Sequence, residues 1–451
     1  VRRVAGADQD EGVVDQSERG YWRTRRLSPP RGVMWCQKLL KAADGALLCA
    51  AGTFLRIWIS SRRAGLGVAH VIHSLEAGGM QRQFIECARL RRSWAFLAWA
   101  DTPGPFEAEL RREGIAIPRI YARLRRNLVL HALAFFFPLS TALVWLWRLF
   151  CHQRPACVWG WGFLASVVVA PAARLAGVPR VVIRVENLSA WKTWPPHRRW
   201  WNRPADQHAA RLADVVVVNA PAVVTDYAAW ARVDPRKIVV IPNGVNSAEW
   251  LARPWRDRRP DLGISADEVV ILSGGRLSRE KNQALLLRAS ARLHARGLHH
   301  HLIMVGEGPL RGDLERLACQ LGIEPWTHWV GETEAPQDFY RSANVFALSS
   351  EIEGLPNALL EAQVFGLPAV TTAAGGAGWV VRDGETGFVV PVGDQEALAA
   401  ALSKLVADGE LRRRLGVAGQ AHVAREFSTQ RWVQRLDAAS QDRGSVRREP
   451  E

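Results

Sequence analysis

The chain reads as an α/β protein built from two doubly wound parallel sheets that face a cleft. Three observations predict this. Short apolar runs of strand length alternate with helical patterns through both halves of the sequence. Glycine turns follow several of these runs, at the strand ends where open α/β sheets take their ligands. The length, 451 residues of which 48% are hydrophobic, exceeds what one core usually holds and suffices for two. The expected division is an extension over 1–66, a first sheet domain over 67–247 and a second over 248–420.

In chain order, Val68 to Ile72 is the first strand pattern, and the segment from Leu75 to Gln83 carries Gly78-Gly79, on its own ordinary loop material. Leu128 to Phe150 is strongly apolar, with Phe135, Phe136 and Phe137 in a row, and follows Arg123, Arg125 and Arg126. It is long enough to span a bilayer, which takes about 20 residues. Pro138 and His131 weigh against a span, so a surface-bound or partly buried helix is expected. Cys157 to Trp159, Val181 to Val185 and Asp214 to Asn219 supply further buried-strand patterns. Ile241-Pro242-Asn243-Gly244-Val245 contains Asn-Gly, a good turn in any context.

The second half is more sharply marked. Val269 to Ser273 runs into Gly274-Gly275, and Arg276 to Asn282 then leads to a helix carrying Leu285, Leu286, Leu287, Ala289 and Leu293. Arg276 and Lys281 are thereby placed to neutralise a diphosphate, Arg as a fork and Lys as a point charge. The competing reading is two solvated cations at a helix start, where the dipole mildly disfavours them. Leu302 to Pro309 and Trp329 to Glu332 are strands ending in glycine turns, which also read as plain strand-to-helix punctuation.

Val345 to Leu348 is a buried-strand pattern, and the stretch Ser349 to Pro368 after it is the most informative in the chain. Pro356 suits the first turn of a helix, and Gly366 with Pro368 stops it. Glu353 then lies in the loop and Glu361 early on the helix. Free amides at the helix start attract a diphosphate, and a carboxylate one turn in can accept hydrogen bonds from vicinal ribose hydroxyls. Two glutamates eight apart also arise on a solvated helix face; the loop chemistry between them makes the pattern specific.

That pattern, Glu353-x7-Glu361 enclosing Gly354-Leu355-Pro356-Asn357, together with Gly275-Arg276-Leu277 and Lys281, resembles the family-four retaining nucleotide-sugar glycosyltransferases of the GT-B fold, of the polysaccharide-biosynthesis type. The resemblance covers about residues 68 to 435 and is densest from Ile238 to Phe427. It implies two Rossmann-like domains, with a helix over 421–440 returning to the first domain before a tail over 441–451. It further implies that Arg276, Lys281 and Glu353 are catalytic, and that Gly78, Gly79, Gly275, Gly331, Gly354, Leu355, Pro356, Asn357 and Glu361 bind the donor. The sequence departs from the family at two places. Val185-Glu186-Asn187-Leu188 stands where many relatives have a histidine, so Glu186 or Asn187 takes over a contact to sugar or acceptor, or the contact is lost. Trp379 stands where relatives carry a glutamate, as a packing residue or an altered substrate contact.

Charge is unevenly spread. Residues 1–247 hold 35 Lys and Arg against 17 Asp and Glu, a net +18, and the remainder is net −3. Sign alone does not choose between anionic lipid and nucleic acid; the apolar Leu128 to Phe150 segment favours an anionic membrane surface, with no nucleic-acid partner. The six cysteines form no C-x-x-C pair, which fits a reducing cytoplasm, and His299 to His301 are expected in a surface turn rather than at a metal. No metal or cofactor is expected, since a nucleotide-diphosphate sugar is a co-substrate. Residues 1–66 match nothing in the family and are expected to be disordered or membrane-proximal. The resulting expectation is a peripheral enzyme at the inner membrane face that glycosylates a lipid-linked or other saccharide acceptor. The alternatives are a catalytically weak sugar-nucleotide-binding subunit, motivated by Trp379 and the absent histidine, and an epimerase on the same fold.

Overall fold

The computed structural model describes residues 67–75, 78–99, 107–118, 138–186 and 196–441. The extension 1–66, residues 128–137 of the apolar segment, Asn187 and nearly all of the tail lie outside the described residues.

Eight of the twelve strands described form where apolar runs predict them; Ala95–Ala98, Ile238–Val240, Ala369–Thr372 and Gly387–Val390 form at runs not singled out from the sequence. β1 (Val68–Ile72), β2 (Ala95–Ala98), β3 (Cys157–Trp161), β4 (Arg180–Val185), β5 (Val215–Val218) and β6 (Ile238–Val240) make one sheet in the order β2-β1-β3-β4-β5-β6. β7 (Val270–Gly274), β8 (His301–Val305), β9 (Thr327–Gly331), β10 (Val345–Leu348), β11 (Ala369–Thr372) and β12 (Gly387–Val390) make the other, in the order β12-β11-β10-β7-β8-β9. All pairings within both sheets are parallel. Helices cover the faces of such sheets, which is why runs such as Val215–Val218 are apolar at every position and buried throughout.

Each sheet has its own core. Ile72, Phe84, Phe96, Trp159, Trp161 and Val217 centre the first, and Ile271, Leu286, Leu302, Ala347, Val370 and Leu402 the second. Trp432, Val433, Leu436 and Ala439 of the last helix, Thr429–Gln441, pack into the first core although the chain has already completed the second sheet. The helix expected over 421–440 is in fact two. Gly409–Glu426 ends at buried Phe427, whose carbonyl accepts from Val245 N at 2.9 Å, and Ser428 pairs with Val245 in a short parallel bridge before the last helix begins. That backbone bond to the first domain interrupts the helical ladder.

Two further expectations change. Pro356 is the N-cap of the helix Asn357–Val364 rather than inside its first turn. His300 and His301 are buried, not on a surface turn: His300 shares a 2.7 Å hydrogen bond with Ser290, and His301, the first residue of β8, lies 2.9 Å from His328. Pro138 opens the helix Pro138–Gln153, where its missing N–H costs nothing. Among the described residues no helix is long and apolar enough to cross a membrane.

Candidate functional site

In the second sheet β7 lies beside β10, and their outgoing connections run to opposite sides, so the loops after them flank a crevice at a topological switch point. These two loops carry most of the residues singled out from the sequence. After β7, Gly275 adopts φ +144, a conformation glycine tolerates without strain. The chain makes a 3-10 turn over Arg279–Lys281, and Asn282, at φ 44, caps the helix Gln283–Ala295 by accepting from Leu285 N at 3.3 Å. The loop after β10 is laced to it: Glu351 N donates to Glu280 O at 2.8 Å, Asn282 Nδ2 to Glu351 Oε1 at 2.9 Å, and Ser349 Oγ to Asn282 O at 2.8 Å.

This lacing brings Lys281 Nζ to 2.6 Å from Glu353 Oε1, an oxygen that also accepts from Ser350 Oγ at 2.6 Å. One ammonium hydrogen is so engaged, leaving the others for a ligand oxygen. Arg276 is exposed on the same loop, and its guanidinium has no hydrogen bond or ion pair among the described residues. Gly275 itself is backed by Gly306, where a Cβ would lie 2.1 Å from Gly275 O, and Gly306 N donates to Gly331 O at 2.8 Å. Gly331, Gly306 and Gly275 therefore form one continuous rim of close backbone contacts.

Across the crevice stands the first domain. Glu361, buried on the helix Asn357–Val364, pairs with Arg82 of the helix Gly79–Leu90 and accepts from Tyr340 Oη at 2.9 Å. Burial, reinforced by the charge of Glu361, pushes the Tyr340 phenol well above its ordinary range, which keeps it a donor. A carboxylate offers about four lone-pair sites, so Glu361 retains acceptor capacity beyond these two partners. Asn357 Nδ2 donates to Gly79 O at 3.2 Å and Asn357 Oδ1 accepts from Asn243 Nδ2 at 2.7 Å. Gly354 lies directly on Glu186: a Cβ there would be 1.7 Å from Glu186 O. Gly78 caps the helix Gly79–Leu90 in an extended conformation.

The carboxylate of Glu186 is paired within the first domain. It is held 2.7 Å from Nε of Arg184, a fully buried cation whose guanidinium also lies 4.9 Å from the Trp161 ring centroid. His70, buried beside this group, accepts from Trp161 Nε1 at 2.8 Å; burial, then the Arg184 charge, lowers its pKa well below 6.5 and keeps it neutral. Trp379 packs edge-on against Phe427 with ring centroids 5.3 Å apart.

Two family models match the chain in tandem: one described as Glycosyltransferase Family 4 over residues 77–249, and one described as Glycosyl transferases group 1 over residues 256–422. Among solved structures, HepE of Anabaena in complex with UDP superposes with a TM-score of 0.69 at 20% identity, covering 82% of this chain and 98% of that one. The chain is a GT-B-fold protein related to the group 1 and family 4 glycosyltransferases. Among curated proteins, this glycosyltransferase relative is 34% identical over 221 residues to the lipopolysaccharide core biosynthesis glycosyltransferase LpsE of Rhizobium meliloti, covering 48% of this chain and 61% of LpsE. It is 30% identical over 257 residues to the Vi polysaccharide biosynthesis protein VipC/TviE of Salmonella typhi, covering 53% of this chain and 42% of that protein. The matches thus span about half the length of these curated relatives.

Sequence reasoning located the loops and missed what faces them. Arg82, Arg184, Asn243 and Tyr340 received no role, although Arg82 lies within the glycine-turn segment and Asn243 within the Asn-Gly turn. A buried-strand pattern interrupted by one arginine, as in residues 181–185, was the available signal for Arg184. Among the described residues, no group of three or more His, Cys, Asp or Glu could hold a metal ion.

Proposed function

We propose that this chain is a retaining, metal-independent glycosyltransferase that moves a hexose-type sugar from a nucleoside-diphosphate donor to a lipid-linked saccharide in cell-surface polysaccharide biosynthesis. The observation that carries this reading is the convergence at the β7/β10 switch point of Lys281, Glu353 and exposed Arg276, with Glu361 on the adjoining helix. Arg276 and Lys281 stabilise the departing diphosphate, and such charge stabilisation is the main catalytic contribution. Glu361 accepts from the ribose hydroxyls, while Glu353 and the backbone from Gly354 to Asn357 orient the sugar. The donor's phosphate oxygen takes the acceptor proton on the face from which it leaves, so no side chain need act as a strong base.

The acceptor side is proposed to work against an anionic membrane surface from the cytoplasm. The net +18 of residues 1–247 supports this, as does the helix Pro138–Gln153, which exposes Val144 and Trp147.

Thermal melting with UDP-, GDP-, ADP- and dTDP-sugars tests the donor site, since a ligand that binds the native state raises the melting point. Stabilisation by one nucleotide class, lost in Glu361→Ala and Lys281→Ala, is the expected result. A shift that survives both substitutions refutes the assignment. Stabilisation without transfer to any saccharide acceptor moves the reading to a binding subunit.

A further inference from the structure

A chain of hydrogen bonds crosses the crevice with its polarity set at both ends. It begins at Arg184, which can only donate, and whose Nη2 donates to Asn243 Oδ1 at 2.8 Å. With its oxygen so committed, Asn243 presents Nδ2 to the second domain, where it donates to Asn357 Oδ1 at 2.7 Å and to Leu355 O at 3.3 Å. Asn357 in turn can present only Nδ2 to Gly79 O, an oxygen that can only accept. An obligate donor at one end and obligate acceptors at the other leave neither amide a second orientation. Arg184 and Asn243 are fully buried or nearly so, and Leu355 is buried with them.

We propose that Asn243 is a positioning residue for the donor-binding loop: oriented by Arg184, its amide ties Leu355 and Asn357 to the first domain and holds the backbone from Gly354 to Asn357 at the crevice. Its consequence for the donor rests on the function proposed above; the tie itself does not. The Asn243 side chain acts through the loop and needs no contact with ligand. Asn357, assigned to the donor by resemblance, serves the reaction through its backbone while its side chain closes the chain of bonds to Gly79.

Asn243→Asp isolates the role because it is isosteric. An aspartate still accepts from Arg184, so the first domain keeps its buried partner, but it cannot donate to Leu355 O or Asn357 Oδ1. Hydrogen exchange of the ligand-free protein, followed on peptides spanning residues 350–361, reads the tie directly. Calorimetric titration with UDP-glucose reads its consequence. The expected result is at least tenfold faster exchange in those peptides with unchanged exchange in β1 and β3, and a dissociation constant raised about tenfold, as for two ordinary hydrogen bonds lost. Asn357→Asp, which keeps the bond from Asn243 but sets an oxygen against Gly79 O, should give a smaller change of the same sign. Wild-type exchange in Asn243→Asp overturns the proposal, as does a loss of protection spread equally through β1 and β3. If the wild-type protein binds no UDP-glucose, the titration uses the nucleotide sugar that stabilises it most in thermal melting, and the exchange result decides the tie in either case.

Discussion

Gly354→Ala tests whether the close approach of the two domains is used in turnover. The methyl group would lie 1.7 Å from Glu186 O and 2.9 Å from Asn219 Oδ1. Glu186 O is itself held by Asn219 Nδ2 at 2.9 Å. Gly354 has no room to retreat: its carbonyl accepts from Gly376 N at 2.6 Å, and a Cβ on Gly375 behind it would already be 2.1 Å from Glu353 O. Restoring even a tight contact of 3.0 Å therefore separates the loop from Glu186 by about 1.3 Å. Displacements of about 1 Å at a reacting centre cost roughly 100-fold. Steady-state sugar transfer should show kcat/KM reduced about 100-fold, with overpacking lowering stability by about 1–3 kcal/mol. Gly312→Ala, whose methyl would meet nothing nearer than 3.5 Å, is the control and should leave transfer unchanged and stability no lower, since alanine is the better helix former by about 1 kcal/mol. A Gly354→Ala enzyme within threefold of wild type would show that the observed approach of Gly354 to Glu186 is not the reactive arrangement.

Lys281→Ala should lower kcat about 100- to 1,000-fold with the melting point little changed, while Lys281→Arg recovers part of the loss; a wild-type rate would remove Lys281 from the reaction. Trp432→Ala should destabilise by about 3–5 kcal/mol in urea unfolding, because Trp432 is buried in the first-sheet core and abuts Gly244. Burial lowers His300 from 6.5 to about 4, so the unfolded chain binds the proton first and stability is lost as pH falls from about 6.5 towards 4. The loss approaches about 3 kcal/mol at most, and urea midpoints at pH 7 and pH 4.5 should differ less in His300→Gln than in wild type.

Most strands of both sheets were legible because a strand covered on two faces must be apolar at nearly every position, as in Val215–Val218 and Val345–Leu348, whereas the short strands β2, β6, β11 and β12 were not singled out. The second-domain loops were legible for a related reason: their chemistry is local. Lys281 and Glu353 lie 72 positions apart, yet each is placed by the end of its own strand, and β7 and β10 are neighbours. What stayed hidden depends on how whole domains approach. Arg82 meets Glu361 across 279 positions and Asn243 meets Asn357 across 114, with no periodicity linking them. The His299 to His301 run misled because polarity suggested a turn, whereas Ser290 and the Leu298 carbonyl satisfy His300 inside the fold.

Buried polar groups in the first domain follow from the same division. Arg184 interrupts an apolar strand and is neutralised by Glu186 two residues on, a pairing that a strand's alternation allows because both side chains point to the same face. A hydrophobic residue at 184 would pack the sheet with less desolvation cost, as buried ion pairs are seldom the most stable choice. What a hydrophobic residue could not do is orient Asn243. The cost of burying Arg184 is thus offset by a directional contact, and that contact ends on the loop that carries Leu355 and Asn357. The departure from the family at Glu186 then acquires a structural reason. The carboxylate compensates the buried guanidinium while the backbone carbonyl of the same residue receives Gly354, so Glu186 ties the buried arginine to the loop of the second domain.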